Sequence, residues 1–284
     1  MKLSQARLVA LVLFALVTTS GCAVINRIRA KNEINEAARA YKVGKFAEAE
    51  QHSRKALELD PEQKTAPTFI ARSIHAQYRP GVDTPENKSK ATEAVVAYKR
   101  ILEKKPDDEE SYKAIAALLG ALDEKEQRTW IMKRASDDSV PKEKRAEAYT
   151  ILASKDWNCS FTITEQPGNK KTEQRDGKPV IVFQKPKDPK EFETALQCVA
   201  RGKEEAEKAI SFDPNNEPAW SFKTNLLLES AKLAEMDGKM DEKTEFNKQA
   251  QDAQKRTTAL SEQRQKREEA EQKKQEAAAK APAG

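Results

Sequence analysis

The stretch from Ala40 to Pro61 limits what this chain can fold into more than any other. It reads Ala-Tyr-Lys-Val-Gly-Lys-Phe-Ala-Glu-Ala-Glu and continues through Ser53 and Ala56-Leu57-Glu58-Leu59 to Asp60-Pro61. The pattern is the end of one helix, a tight turn, and a second helix halted by proline. Gly44 permits the turn because it has no side chain to clash. Phe46 and Ala49 set a large residue beside a small one, so two helices can approach closely. Pro61 lacks the N–H a further turn would need. The chain must therefore bury this helix pair against something else.

These residues resemble the second half of a tetratricopeptide (TPR) repeat, a helix-turn-helix unit of about 34 residues. Counting back from successive prolines extends the resemblance. Ala94, Tyr98 and Ile101 precede Pro106 by the same intervals as Ala49, Ser53 and Ala56 precede Pro61. The 45 residues from Pro61 to Pro106 exceed one repeat, and the helix breakers from Pro80 to Asn87 place the excess at about 80–90. A third unit carries Tyr112, Ile115, Ala116 and Leu119, then Trp130, Ile131 and Ala135, at helical spacing. Pro141 either closes that unit or opens the next helix.

The fourth unit begins with Tyr149, Leu152 and Ala153 and ends with Gly202, Ala206 and Ala209 before Pro214. Between them, Phe161-Thr162-Ile163-Thr164 alternates apolar with polar, and Val180-Ile181-Val182-Phe183 is a β-branched run. These predict a first helix ending near Trp157 and a small antiparallel hairpin within 160–197, with a polar tip from Glu165 to Lys178. The fifth unit opens at Pro218-Ala219-Trp220, turns at Asp237-Gly238 and closes on Phe246, Ala250 and Ala253. From 259 to 284 the chain is rich in Ala, Lys and Glu, and such a helix should bury nothing and fray. The fold expected is an all-α TPR-like solenoid of about five helix pairs over 30–258, with an inserted β-hairpin.

The N-terminus reads as an export signal. Lys2 and Arg7 precede the apolar run Leu8 to Val17, followed by Thr18-Thr19-Ser20-Gly21-Cys22. Ser20-Gly21-Cys22 resembles a bacterial lipobox, although Thr19 stands where that family usually has an aliphatic residue. The resemblance implies cleavage after residue 21, lipidation of Cys22, a short tether over 22–29, and a membrane anchor. Ala23, where some bacteria place an Asp to retain lipoproteins at the inner membrane, implies the periplasmic face of the outer membrane. Ordinary signal cleavage leaving a free thiol is the alternative. In an exported chain Cys159 and Cys198 are expected to pair. Cys159 lies 18 residues after Pro141 and Cys198 lies 16 before Pro214, together one repeat length. The bridge would thus close the base of the insertion.

No catalytic pattern is present. His52 and His75 stand alone, and there is no phosphate loop, nucleophile elbow or Cys-x-x-Cys motif. Asp107 to Glu110 precede a helix, whose dipole they suit. Tyr98, Tyr112, Trp130 and Trp220 occupy packing positions. Ile34 and Ala38 stand where a co-chaperone TPR groove would carry its carboxylate clamp. Charged residues make up 34% of the chain and its net charge is +5, but the basic residues are interleaved with acidic ones, which disfavours a nucleic-acid groove.

The expectation is a non-enzymatic scaffold without cofactor or metal, binding proteins of the cell envelope. Resemblance to TPR lipoproteins points to outer-membrane or pilus-secretin assembly. The alternative is a cell-wall protein whose cationic tail touches peptidoglycan or acidic polymers. Lipid anchoring is directly testable. Cys22→Ser should release the protein from membranes or block its maturation. A variant that matures and stays with membranes through a high-salt wash would contradict the anchor.

Overall fold

The structure is a computed structural model, and it describes residues 23–280. The expected signal at 1–21, the lipidated Cys22 and the last four residues lie outside the described residues. The described chain is ten helices and one two-stranded sheet: α1 (23–42), α2 (Phe46–Leu59), α3 (Ala66–Gln77), α4 (Pro85–Lys104), α5 (Glu109–Leu122), α6 (Glu124–Ser136), α7 (Lys142–Thr164), β1 (Lys170–Arg175), β2 (Lys178–Phe183), α8 (Pro189–Phe212), α9 (Glu217–Met236) and α10 (Met240–Lys280). Taken in sequence the helices form five pairs, the all-α TPR-like solenoid class with a small hairpin. The chain divides into two compact units, one up to Gln127 and one from Arg128, and the division falls inside α6.

In the first unit α2 packs on α3, α3 on α4 and α4 on α5. Small residues make this possible: Ala49, Ala56, Ala66, Ala71, Ala91 and Ala94 have no exposed surface. Gly44 turns the chain with a φ of +78°, where a side chain would be strained. Beyond it Phe46 meets Tyr41 edge to face, with ring centroids 5.2 Å apart. Tyr98 is buried, whereas Tyr112 is only half-buried.

Each signature proline follows a helix end by two residues. The cap N–H groups of Asp60, Lys105 and Asp213 donate to Ala56, Ile101 and Ala209 O, at 2.9, 2.8 and 2.9 Å. Pro61, Pro106 and Pro214 then prevent a further turn. New helices start on side-chain caps. The Asp108 carboxylate accepts from Ser111 N at 2.8 Å, and Asn216 Oδ1 accepts from Ala219 N at 3.0 Å. Pro141 resolves as the opener: it is the N-cap of α7, five residues beyond the end of α6.

Between α3 and α4 the loop is only 78–84, shorter than the insertion expected at 80–90. Thr84 caps α4, and Asn87 is already inside the helix, where its side chain bonds Arg79 and Val82 O. The extra length of this repeat resides mostly in α4, a helix of 20 residues.

In the second unit α7, α8 and α9 pack mutually and α10 lies on α9. The expected strand at Phe161–Thr164 is helical instead, because α7 continues past Trp157 to Thr164. The reason is visible on its inner face. Asp156, Ser160 and Thr164 recur every four residues and are all buried, a helical period that the local alternation of Phe161 to Thr164 conceals. The hairpin therefore pairs β1 with β2 about the two residues Asp176-Gly177. Both have positive φ, 51° and 72°, as a type I′ turn requires.

Cys159 and Cys198 are bonded at 2.09 Å, with Cα atoms 6.1 Å apart. They join the bodies of α7 and α8, so both helices run beyond the bridge toward the hairpin. The expected position at the base of the insertion is corrected accordingly. At the other end, α10 crosses residue 259 without a break, and Leu260 is buried. Arg264 reaches back to Glu217 at 2.9 Å, so packing extends past the expected tail boundary.

Gly202 marks the closest approach in this unit. A Cβ placed there would lie 2.7 Å from Leu226 Cδ2 and 3.0 Å from Asp156 Cβ. Leu226 is fully buried and has little room to yield. Gly202→Ala is expected to lower unfolding free energy by about 1–3 kcal/mol in urea melts. Gly168→Ala, with nothing within 4 Å, should stay within about 0.5 kcal/mol of the parent. Equal stability of the two variants would contradict the close approach.

Candidate functional site

The hairpin is the part of the second unit that its own core does not consume. Its register pairs Lys170 with Phe183, Thr172 with Ile181, Gln174 with Pro179 and Arg175 with Lys178. A two-residue turn makes Arg175 and Lys178 a mutually hydrogen-bonded pair, so bonding pairs alternate from there. Gln184 N donates to Asn169 O at 2.8 Å, in step with that alternation. The backbone groups of Lys170, Thr172 and Gln174 therefore point away from β2. On the other strand the outward position at the tip is Pro179, which has no N–H to offer. Contact with α9 is made by β2. The outer edge of β1 thus carries a complete row of donors and acceptors.

The base of the hairpin is held firmly. Phe183 packs with Ile163 and Phe192 against Ala195, Val199, Leu233 and Met236. Buried Asn169 donates to Ile163 O at 2.8 Å. Lys170 pairs with Glu165 at 2.8 Å, and Lys232 bridges Glu165 and Glu229 at 2.6 and 2.7 Å. Glu229 also receives the hydroxyls of Ser160 at 3.1 Å and Thr164 at 2.7 Å. Lys185, just past β2, pairs at 2.5 Å with Asp237 at the end of α9. Hydrogen bonds from Lys185 and then Lys239 hold the Asp237 carboxyl down at about 2.

One turn further along α7 lies a second polar cluster. Asp156 accepts from Arg128 at 3.1 Å and Arg201 at 3.0 Å, and Arg128 also pairs with Glu205. Burial, then the nearby Asp156 charge, push the Glu205 carboxyl up to about 8 against the opposing pull of Arg128. Two carboxyls share this pocket, and the charge of Asp156 opposes ionisation of Glu205. The cluster joins α6, α7 and α8.

Other candidate positions separate cleanly. In the first unit His52 Nδ1 contacts Glu33 at 2.7 Å, a cross-helix partner that spacing alone did not reveal. His75 contacts Tyr98 OH at 3.3 Å; burial lowers the His75 pKa and pushes Tyr98 up to about 12. Trp220 packs with Phe246 against Leu227, Ala250 and Ala253, and its indole N–H donates to Pro214 O at 3.0 Å. Among the described residues no group of three or more His, Cys, Asp or Glu side chains is placed to hold a metal. No helix among them is long and apolar enough to cross a membrane. Residues 261–280 carry six basic and five acidic side chains, so the tail has little cationic excess.

No protein-family profile and no curated protein matches the chain. Similar solved structures include a MamA RS-1 ArsTM double mutant, 13% identical with a TM-score of 0.43, covering 83% of this chain and 96% of that one. Another is MamA from Desulfovibrio magneticus RS-1, residue 41 to its end, 14% identical with a TM-score of 0.38 over 80% and 96%. A tetratricopeptide repeat protein from Parabacteroides merdae is 12% identical, with a TM-score of 0.34 over 82% and 97%. Superpositions this loose assign no residue roles.

The Glu205 carboxyl generates a pH prediction. Its folded pKa lies above the unfolded one, so its contribution is fully present below the ordinary glutamate range. Stability is then lost as pH rises from about 4.5 toward about 8. Glu205→Gln should flatten this slope in thermal melts taken across that interval. An unchanged slope would show that another group titrates there.

Proposed function

We propose that the chain is a lipid-anchored scaffold of the bacterial envelope, facing the periplasm, and that the outer edge of β1 is where a protein partner docks. The observation that carries this reading is a hairpin with one complete outward edge, set on a base clamped by Phe183, Asn169, Lys170 and Lys185. An extended segment can add to such an edge through backbone hydrogen bonds, and a fixed base spares it the entropy of ordering the site. TPR-like helix pairs support a binding rather than a catalytic role, because their buried residues are spent on neighbouring helices. The signal-like N-terminus and Ser20-Gly21-Cys22 support the anchor and the compartment, and the Cys159–Cys198 bridge suits an oxidising one. Assembly of outer-membrane or pilus-secretin complexes is the setting this combination fits.

The decisive variant spares the base. Excising 160–197 would remove the bridge and the Ser160 and Thr164 partners of Glu229, so its failure would be uninformative. Replacing 171–182 by a short Gly-Ser turn retains Lys170 and Phe183, which already face each other. The variant should keep its helicity and melting temperature while losing cross-links from the hairpin to envelope proteins. A folded variant with an unchanged set of cross-linked partners would remove the hairpin from the docking surface.

A further inference from the structure

The seam between α2, α3 and α4 in the first unit carries a feature that the hairpin does not explain. It carries an open groove of about 520 Å³, within the usual range for a bound ligand. The floor is aliphatic, formed by Leu57, Ile70, Ala97 and Ile101. Cations rim it: Arg54, Lys64, Arg100, Lys104 and Lys105, against the acids Glu58 and Glu103.

Most of this charge is unspent. Arg54 is engaged by Glu50 and Glu93, both at 2.8 Å. Lys64, Arg100, Lys104 and Lys105 enter no ion pair among the described residues. Five cations against two acids around an apolar floor favour an occupant of net negative charge with an apolar body.

The second unit contains a natural control. The seam of α8, α9 and α10 is built at the same place in the repeat, with Trp220 six residues after Pro214 as Pro67 is six after Pro61. There two of the four lining cations are held by polar partners. Lys223 pairs with Glu207 at 2.6 Å, and Arg256 is held at 3.0 Å by Asn215 Oδ1. Lys203 and Lys208 complete that lining, over the rings of Phe246 and Tyr149 at 4.9 and 5.5 Å, so the second seam has fewer unpaired cations than the first.

We propose that the α2–α3–α4 seam binds an acidic peptide segment carrying one large apolar side chain. The apolar side chain lies on Leu57, Ile70 and Ile101, and its flanking carboxylates meet Arg100, Lys104, Lys105 and Lys64. Arg100 and Lys104 stand four residues apart on α4, so both face the same side of the helix and span one turn of the ligand. A lipid-like carboxylate shares part of this chemistry but has one charge where the rim presents four. The site lies in the first unit and the hairpin in the second, and a chain shortened at 171–182 should retain it.

The test uses fluorescence polarisation with labelled peptides of sequence Asp-Glu-Asp-X-Glu-Asp, in which X is Leu, Phe or Trp. Expected is binding by at least one of the three, at least tenfold weaker when X is Ser. Raising salt from about 50 to about 500 mM should weaken it by a further tenfold or so, as charge pairing at an exposed rim is screened. The double variant R100E/K104E and the space-filling variant Ala97→Trp should each reduce binding at least tenfold, with circular dichroism and melting showing the fold intact. If one variant unfolds, the other carries the test, because they remove charge and space separately. The proposal is overturned if no peptide binds, if X as Ser binds equally, or if both folded variants bind normally. Laurate binding with sensitivity to both variants, where no peptide binds, would replace the proposed occupant with a lipid-like anion.

Discussion

The polar strip on α7 is the constraint on which the second unit depends. Asp156, Ser160 and Thr164 stand on one helical face and are all buried. Water cannot satisfy them there, so α6 must bring Arg128, α8 must bring Arg201 and Glu205, and α9 must bring Glu229 and Lys232. A shift of one helical turn in any of these would strand a buried carboxyl, at a cost of several kcal/mol. An apolar interface of equal area would tolerate such sliding far better. The Cys159–Cys198 bond lies within the same strip and adds about 2–4 kcal/mol by the usual chain-entropy argument. Register, rather than gross stability, is what this arrangement secures.

Register matters because the hairpin is mounted on it. Lys232 sits 5.0 Å from the Phe183 ring and 5.2 Å from Phe161, while its ammonium joins Glu165 to Glu229. The base of the sheet is therefore coupled to the buried strip through one side chain. The first unit is held differently. Its helices close on alanines and are terminated by proline and side-chain caps, so its charged residues remain at the surface. There Arg72 takes Glu110 in a double contact at 2.5 Å, and four of the five cations of the α2–α3–α4 seam enter no ion pair among the described residues. One unit spends its charge inward on alignment and the other outward on its surface.

The helix pairs were legible because their signals are local. Gly44, the prolines, and the residues twelve and five before each proline (Ala49 and Ala56, Ala94 and Ile101, Gly202 and Ala209) report their own backbone. Cys159 and Cys198 were legible through repeat length, which sees past an insertion. What the sequence hid was non-local. Phe161 to Thr164 alternates as a strand would, and only the spacing of Asp156, Ser160 and Thr164 discloses a helix whose buried face is polar. Polar residues count as surface in any hydrophobic pattern, so the partners that make them buriable, Glu229 and Arg128, could not be foreseen. The short strand Lys170–Arg175 was missed for a related reason, since it holds no apolar residue and exists because β2 pairs with it. Likewise the cationic seam joins residues from Leu57 to Lys105, which only packing assembles.

The central claim is that β1 offers its outer backbone edge to a partner. Hydrogen exchange read by mass spectrometry tests it without altering the chain, on the protein in native membranes and again after purification. The amides of Lys170, Thr172 and Gln174 should exchange more slowly in the membranes, while those of α10 beyond Leu260 exchange at the same rate in both. Equal exchange at Lys170, Thr172 and Gln174 in the two samples would contradict the claim.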